Sequence, residues 1–160
     1  MVKVGEIYES NNYGKVVVLE VQSSKDVTVK FISTGYVLKT ISRSVVFGML
    51  KDKLLPSVYS TGFVGEGQYS YTKHKIAYTT WKSMLRRCYD TKFLSRYPTY
   101  QGCSVEKHWH NFQNFAEWFY ENHIEGYELD KDLKVFDNKI YSKNTCWFIP
   151  NYVNSLIKKY

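Results

Sequence analysis

Leu129-Asp130-Lys131-Asp132-Leu133-Lys134-Val135, then Asp137-Asn138-Lys139, then Thr145-Cys146-Trp147-Phe148-Ile149-Pro150, is the stretch whose reading decides the fold of this chain. Residues 129–135 and residues 145–149 read as two strands, and Asp137-Asn138-Lys139 between them is a turn signal. Pro150 stands where a helix start tolerates proline, and Val153, Leu156 and Ile157 supply the apolar face of the helix that follows. The result is a ββα unit, an arrangement that gathers strand and helix side chains around one small pocket. Alternation along the first strand places Asp130 and Asp132 on one face and Lys131 on the other.

Working upstream, residues 81–88 carry helical periodicity. Trp81, Met84, Leu85 and Cys88 fall at i, i+3, i+4 and i+7, a core stripe, and Lys82, Arg86 and Arg87 point toward other faces. A second helix is expected from Asn111, a side chain suited to an N-cap, with Phe112, Phe115, Ala116 and Phe119 as its apolar face. Residues 97–105 between the helices read as a turn and a short strand. Residues 52–72 contain Pro56, Gly62, Gly65 and Gly67 and few charges, and read as an ordered loop lying on the body of the protein. The first 50 residues read as strands: the apolar run 15–21, the β-branched run 27–32, a turn at Ser33-Thr34-Gly35, and a further alternation over 36–41. Three or four short strands at this spacing predict a small antiparallel sheet or half-barrel. The expected organisation is therefore α+β. A small antiparallel β module with its connector spans 1–70, and a helical basic segment with a C-terminal ββα unit spans 71–160.

With 160 residues the chain suffices for one compact domain or two very small ones. No stretch approaches the ~18 consecutive apolar residues of a membrane span. Residues 1–10 lack the apolar centre and cleavage site of a secretory signal, so a cytoplasmic protein is the default expectation. Cys88, Cys103 and Cys146 are too widely spaced for a ribbon-type zinc site, and their odd number argues against a disulfide framework, which leaves three reduced and mostly buried thiols. The net charge is +7, and its distribution matters more than its size. Residues 71–110 hold eight Lys and Arg against two acidic residues, together with His74, His108, His110 and five tyrosines. Cations interleaved with aromatic rings suit a polyanion carrying flat bases, that is, a nucleic acid. Lys73, Lys75, Lys82, Arg86, Arg87, Lys92 and Arg96 are the candidate phosphate contacts. Each also has a plainer reading as a solvated surface charge. Tyr97, Tyr100 and Trp109 fit a core role better than base stacking.

One ordered set of residues resembles a known family. It comprises Trp81, Met84, Arg87-Cys88-Tyr89, Tyr97, Tyr100, Gly102-Cys103, Trp109, Phe112, Phe115 and Trp118, then 129–132, Asn138-Lys139, Tyr141-Ser142, Asn144-Thr145-Cys146, Phe148, Pro150 and Asn154. In order and spacing these are similar to phage-encoded homing endonucleases of the HNH type and their DNA-binding relatives. Asn12-Tyr13-Gly14 and Pro56-Ser57-Val58-Tyr59 look like the β module that often precedes that core. The resemblance implies a DNA-reading segment followed by a ββα nuclease motif that binds a divalent cation, Mg2+ or Mn2+. The cation stabilises the leaving oxygen of a phosphodiester while a base activates water. Carried over, Asp130 matches the strand acid and metal ligand, Asn144 the central asparagine, and Asn154 the helix position, with Asn151 a neighbouring substitute. Asp132 adds a second carboxylate, and two carboxylates with an amide can hold magnesium or form a solvated acidic edge.

The departure lies at Lys131, which stands where the family has its histidine base. A primary amine of ordinary pKa, about 10.4, is protonated at neutral pH and accepts no proton from water. Two functional classes therefore follow for a chain expected to bind double-stranded DNA. It is a metal-dependent endonuclease acting through Asp130, Asn144 and Asn154, or a catalytically inactive binder, a repressor or site competitor, on the same scaffold. A third class is an inhibitor of a host nucleic-acid machine, its cationic window meeting an acidic protein surface.

Overall fold

The computed structural model describes residues 1–157. The chain divides into two compact units, one ending at Leu55 and one beginning at Pro56. The expected boundary at residue 70 thus moves to residue 55, because the glycine-rich segment that follows pairs with the second unit.

In the first unit β1 (Ile7–Ser10), β2 (Gly14–Ser23), β3 (Asp26–Phe31) and β4 (Val37–Thr40) form an antiparallel sheet in simple sequence order. The long strand β2 is irregular in its pairing with β3 between Val18 and Glu20 and again between Val21 and Ser23. β-branched residues on alternate positions, Val16 and Val18 on β2 and Val27 and Val29 on β3, point to one face and are buried with Phe31 and Tyr36. A short helix α1 (Ser42–Val46) adds Val45, and Val2 and Leu50 complete this core.

In the second unit the segment after residue 55 is ordered on the body. Val58 and Gly62 form an antiparallel bridge, and Phe63 pairs with Asn111. The helix α2 (Lys75–Tyr89) buries Ala77, Trp81, Met84, Leu85 and Cys88, the stripe its periodicity announces. Next come α3 (Thr91–Arg96), the two-residue strand β5 (Ser104–Val105) and α4 (Phe112–Asn122). Asn111 caps α4 by accepting the Gln113 N–H at 3.0 Å. The Trp81 indole N–H, carried into this core, donates to the Trp109 carbonyl at 2.7 Å, and the ring lies 5.3 Å from Phe112.

The remaining strands are β6 (Tyr127–Asp130), β7 (Ile140–Tyr141) and β8 (Trp147–Pro150), before α5 (Asn151–Ile157). β6 pairs antiparallel with β8, and α5 packs against both. β7 instead pairs in parallel with β5. The strand expected over 129–135 ends at Asp130. The Asp130 carboxylate accepts the backbone N–H groups of Asp132 at 3.0 Å and Leu133 at 2.7 Å, which folds the chain into a turn. The predicted alternation of Asp130 and Asp132 against Lys131 fails with it: Lys131 is 7% exposed, whereas the Asp132 side chain is 48% exposed. The second strand begins two residues late, because the Thr145 and Cys146 amides bond back to the Ser142 carbonyl.

The architecture is α+β, with five helices and a four-stranded antiparallel sheet among the described residues. No helix among them is long and apolar enough to cross a membrane.

Candidate nucleic-acid interface and the cleft beside it

Lys75, Thr79, Lys82 and Arg86 recur along α2 at i, i+4, i+7 and i+11, the exposed stripe opposite the buried one. At the end of that stripe Arg86 Nε lies 3.4 Å from Asp90 Oδ2, and its guanidinium sits 5.3 Å over the Phe93 ring. The same Asp90 carboxylate caps α3 by accepting the Lys92 N–H at 3.1 Å. One carboxylate therefore fixes the corner between two helices, and Lys92 and Arg96 extend the exposed cations along α3. Asp90, Arg86, Lys92, Phe93, Arg96 and Tyr97 line a hollow of about 250 Å3 at this corner. Tyr97, expected in the core, is instead 52% exposed at the end of α3, whereas Trp109 is buried as expected. Lys73 precedes α2 and is exposed. His74, between Lys73 and Lys75, braces the fold. Its Nδ1 accepts the Ser70 N–H at 3.0 Å, and its ring packs edge-on against Tyr69 and Tyr120. Of the seven cations singled out in the sequence, six are exposed on this run.

Arg87 is the exception. It leaves the exposed run and is hydrogen-bonded to the Tyr141 hydroxyl, near Tyr100 and Glu128. Burial pushes the Tyr141 phenol well above its ordinary pKa, and Arg87 offsets only part of that rise. Arg87, Tyr100, Asp130, Lys131, Asp132, Tyr141 and Asn154 share a small cleft of about 80 Å3. The structure thus brings together Asp130, Asp132 and Asn154 from the predicted set. It leaves out Asn144, which is exposed on the turn that the Ser142 and Thr145 hydroxyls close before β8. The loop after β6 is pinned instead by Asn138, whose Nδ2 donates to the Lys131 carbonyl at 3.2 Å and to the Ile140 carbonyl at 2.6 Å.

The fit of a divalent cation to this cleft depends on what its candidate ligands already do. Asp130 Oδ2 is engaged by two backbone N–H groups, Asn154 Nδ2 donates to Glu128, and Lys131 Nζ donates to Asp132 Oδ1 while lying 5.8 Å over the Tyr141 ring. A cation of the chain's own thus sits among the candidate ligands, and a metal ion there would face its repulsion. This donor set does not suit Mg2+ or Mn2+ as it stands. Glu128, one residue before the 129–135 stretch, has no signal in the sequence, whereas Tyr100 and Tyr141 stand in the resembling set with no role assigned at this cleft.

A third hollow, of about 300 Å3, lies on the other flank of the α2 stripe, lined by Tyr59, Tyr71, Tyr78, Thr79, Lys82, Ser83 and Arg86. Tyr59 reaches it from a tight turn in which Tyr59 and Ser60 have φ of 50° and 56°. Two consecutive side-chain-bearing residues in the left-handed region cost roughly 1–2 kcal/mol each. The turn is held by Val58–Gly62 hydrogen bonds of 3.0 and 2.9 Å, and Gly62 lies so close to α2 that a Cβ would stand 2.4 Å from Leu85 Cδ1. No family model, curated protein or solved structure matches the chain.

Proposed function

We propose that this protein binds double-stranded DNA through the α2–α3 run. It does so as a binder, with no metal-dependent cleavage at the neighbouring cleft. The observation that carries the reading is the continuous row Lys75, Lys82, Arg86, Lys92 and Arg96, exposed along two helices whose corner Asp90 fixes. Exposed cations at helical spacing neutralise successive phosphates, and their fixed geometry gives the protein a register on the duplex. The inactive class is preferred over the nuclease because Lys131 stands among the carboxylates that a metal would need. The nuclease reading has one observation in its favour, the meeting of Asp130, Asp132 and Asn154 in a single cleft.

The test uses one supercoiled plasmid and one labelled duplex. The expected result is duplex binding that weakens steeply as salt rises, with no strand breakage in Mg2+ or Mn2+. Breakage that requires a divalent metal and disappears in Asp130→Ala would restore the nuclease. A protein that ignores duplex DNA even at low salt loses the DNA reading altogether, and the acidic protein surface becomes the partner to seek.

A further inference from the structure

We propose that the Tyr59–Tyr71–Tyr78 hollow receives one unpaired nucleotide of a DNA strand, its base against the tyrosine rings and its phosphate against Lys82 and Arg86. The inference rests on the DNA reading above and goes beyond it, since the row of cations alone asks only for phosphates. Tyr78 is a fixed wall: its ring lies 5.6 Å from Trp81 and 5.3 Å from Phe112, both in the core. Tyr71 stands edge-on to it, 5.0 Å away at 75°, and is 50% exposed, so its ring is offered to solvent. Tyr59 closes the hollow from the turn that Gly62 seats on α2, in a backbone conformation that needs a reason to persist.

The lining carries two cations and two hydroxyl-bearing residues of α2, Thr79 and Ser83, and no carboxylate. Such a wall attracts an anion that brings a flat apolar face with it, and a nucleotide is that ligand. Within a duplex, base faces are covered by their stacked neighbours and closed to a ring of tyrosines. Only an unpaired or extruded nucleotide presents a face and a phosphate together. Lys82 and Arg86, four residues apart on one helix face, lie in both the hollow and the phosphate row. A strand tracking that row therefore passes the mouth of the hollow.

The experiment compares a fully paired duplex with the same duplex carrying a single-nucleotide bulge of 2-aminopurine, by fluorescence anisotropy and by the fluorescence of the bulged base. The bulged duplex is expected to bind several-fold more tightly, with its emission quenched on stacking. In Tyr71→Ala the ratio of the two affinities is expected to fall roughly tenfold or to unity, whichever is reached first, and in Tyr71→Phe to persist, since stacking on an aromatic ring carries the effect. Equal affinities with unchanged emission would overturn the pocket while leaving duplex binding intact. Failure to bind either DNA would remove the reading beneath it as well. Free deoxyadenosine monophosphate that competes as well as the bulge would overturn the need for a strand and make the hollow a mononucleotide site.

Discussion

Gln113 shows how much one side chain can organise in this protein. It sits in the first turn of α4, 9% exposed, and its amide makes three hydrogen bonds to a loop more than forty residues earlier. Oε1 accepts the Tyr69 N–H at 3.0 Å, and Nε2 donates to the Val64 and Tyr69 carbonyls at 2.9 and 2.8 Å. Next to it Asn111 approaches Gly65, whose φ of +72° and lack of a Cβ let the loop close on the helix cap. Removing the amide strands one donor and two acceptors, so Gln113→Ala is expected to destabilise the second unit by roughly 2–4 kcal/mol. A urea titration followed by tryptophan emission measures this, and a loss under about 0.5 kcal/mol, the size of an ordinary surface change, would show that water satisfies the loop instead. Nothing in the sequence marks Gln113, because a polar residue beside an apolar stripe reads as solvated. Lys131 and Asp132 are named in the sequence, but their faces are misassigned. Alternation assigns faces only while a strand continues, and the Asp130 carboxylate ends the strand before either is reached.

At the level of elements, the two long helices of the second unit are more legible than its short strands. In α2 and α4 the apolar residues repeat at the helical period over two or more turns, and Asn111 caps as its chemistry suggests. The short strands β6, β7 and β8 are decided by side-chain bonds and by distant partners. β7 pairs with β5, Ile140 with Ser104 and Tyr141 with Val105, a match that no local pattern announces. The same contrast governs the site. The exposed stripe of α2 is readable from its spacing, whereas the turning of Arg87 into the cleft depends on Tyr141, on a different element. That difference makes a testable distinction between neighbours. The double variant Lys92→Gln, Arg96→Gln is expected to lower the slope of log affinity against log salt by roughly 2, about one for each phosphate no longer neutralised. Arg87→Gln is expected to leave that slope unchanged while destabilising the fold. Equal slope changes from the two variants would place Arg87 on the DNA after all.

On the scale of the whole molecule, the buried thiols all lie in the second unit, and they bear on how that unit responds to alkali. All three cysteines and all four tryptophans fall after residue 55, so tryptophan emission reports the second unit alone. Burial pushes the Cys88 thiol up to about 12 and the Cys146 thiol up to about 12, from an ordinary value of 9.0. Burial raises Tyr141 as well. Each is an acid whose folded-state pKa lies above its unfolded one. Its contribution is complete below the unfolded value, because both states then hold the proton. Between the two values the unfolded chain releases the proton and the folded chain cannot, so stability falls as pH rises. Each thiol costs roughly 1.4 kcal/mol per pH unit across that window. The urea midpoint of the second unit is therefore expected to hold steady up to about pH 9 and then to drop progressively toward about pH 12. A variant carrying Cys88→Ala and Cys146→Ala starts less stable, having lost packed sulfur, but its midpoint should decline less steeply over the same range. Parallel slopes in the two proteins would mean that the thiols ionise as readily folded as unfolded, which water reaching the α2 core would permit. In neutral solution the same burial predicts slow reaction of these thiols with a disulfide reagent, since the thiolate is the reacting species and the fold suppresses it.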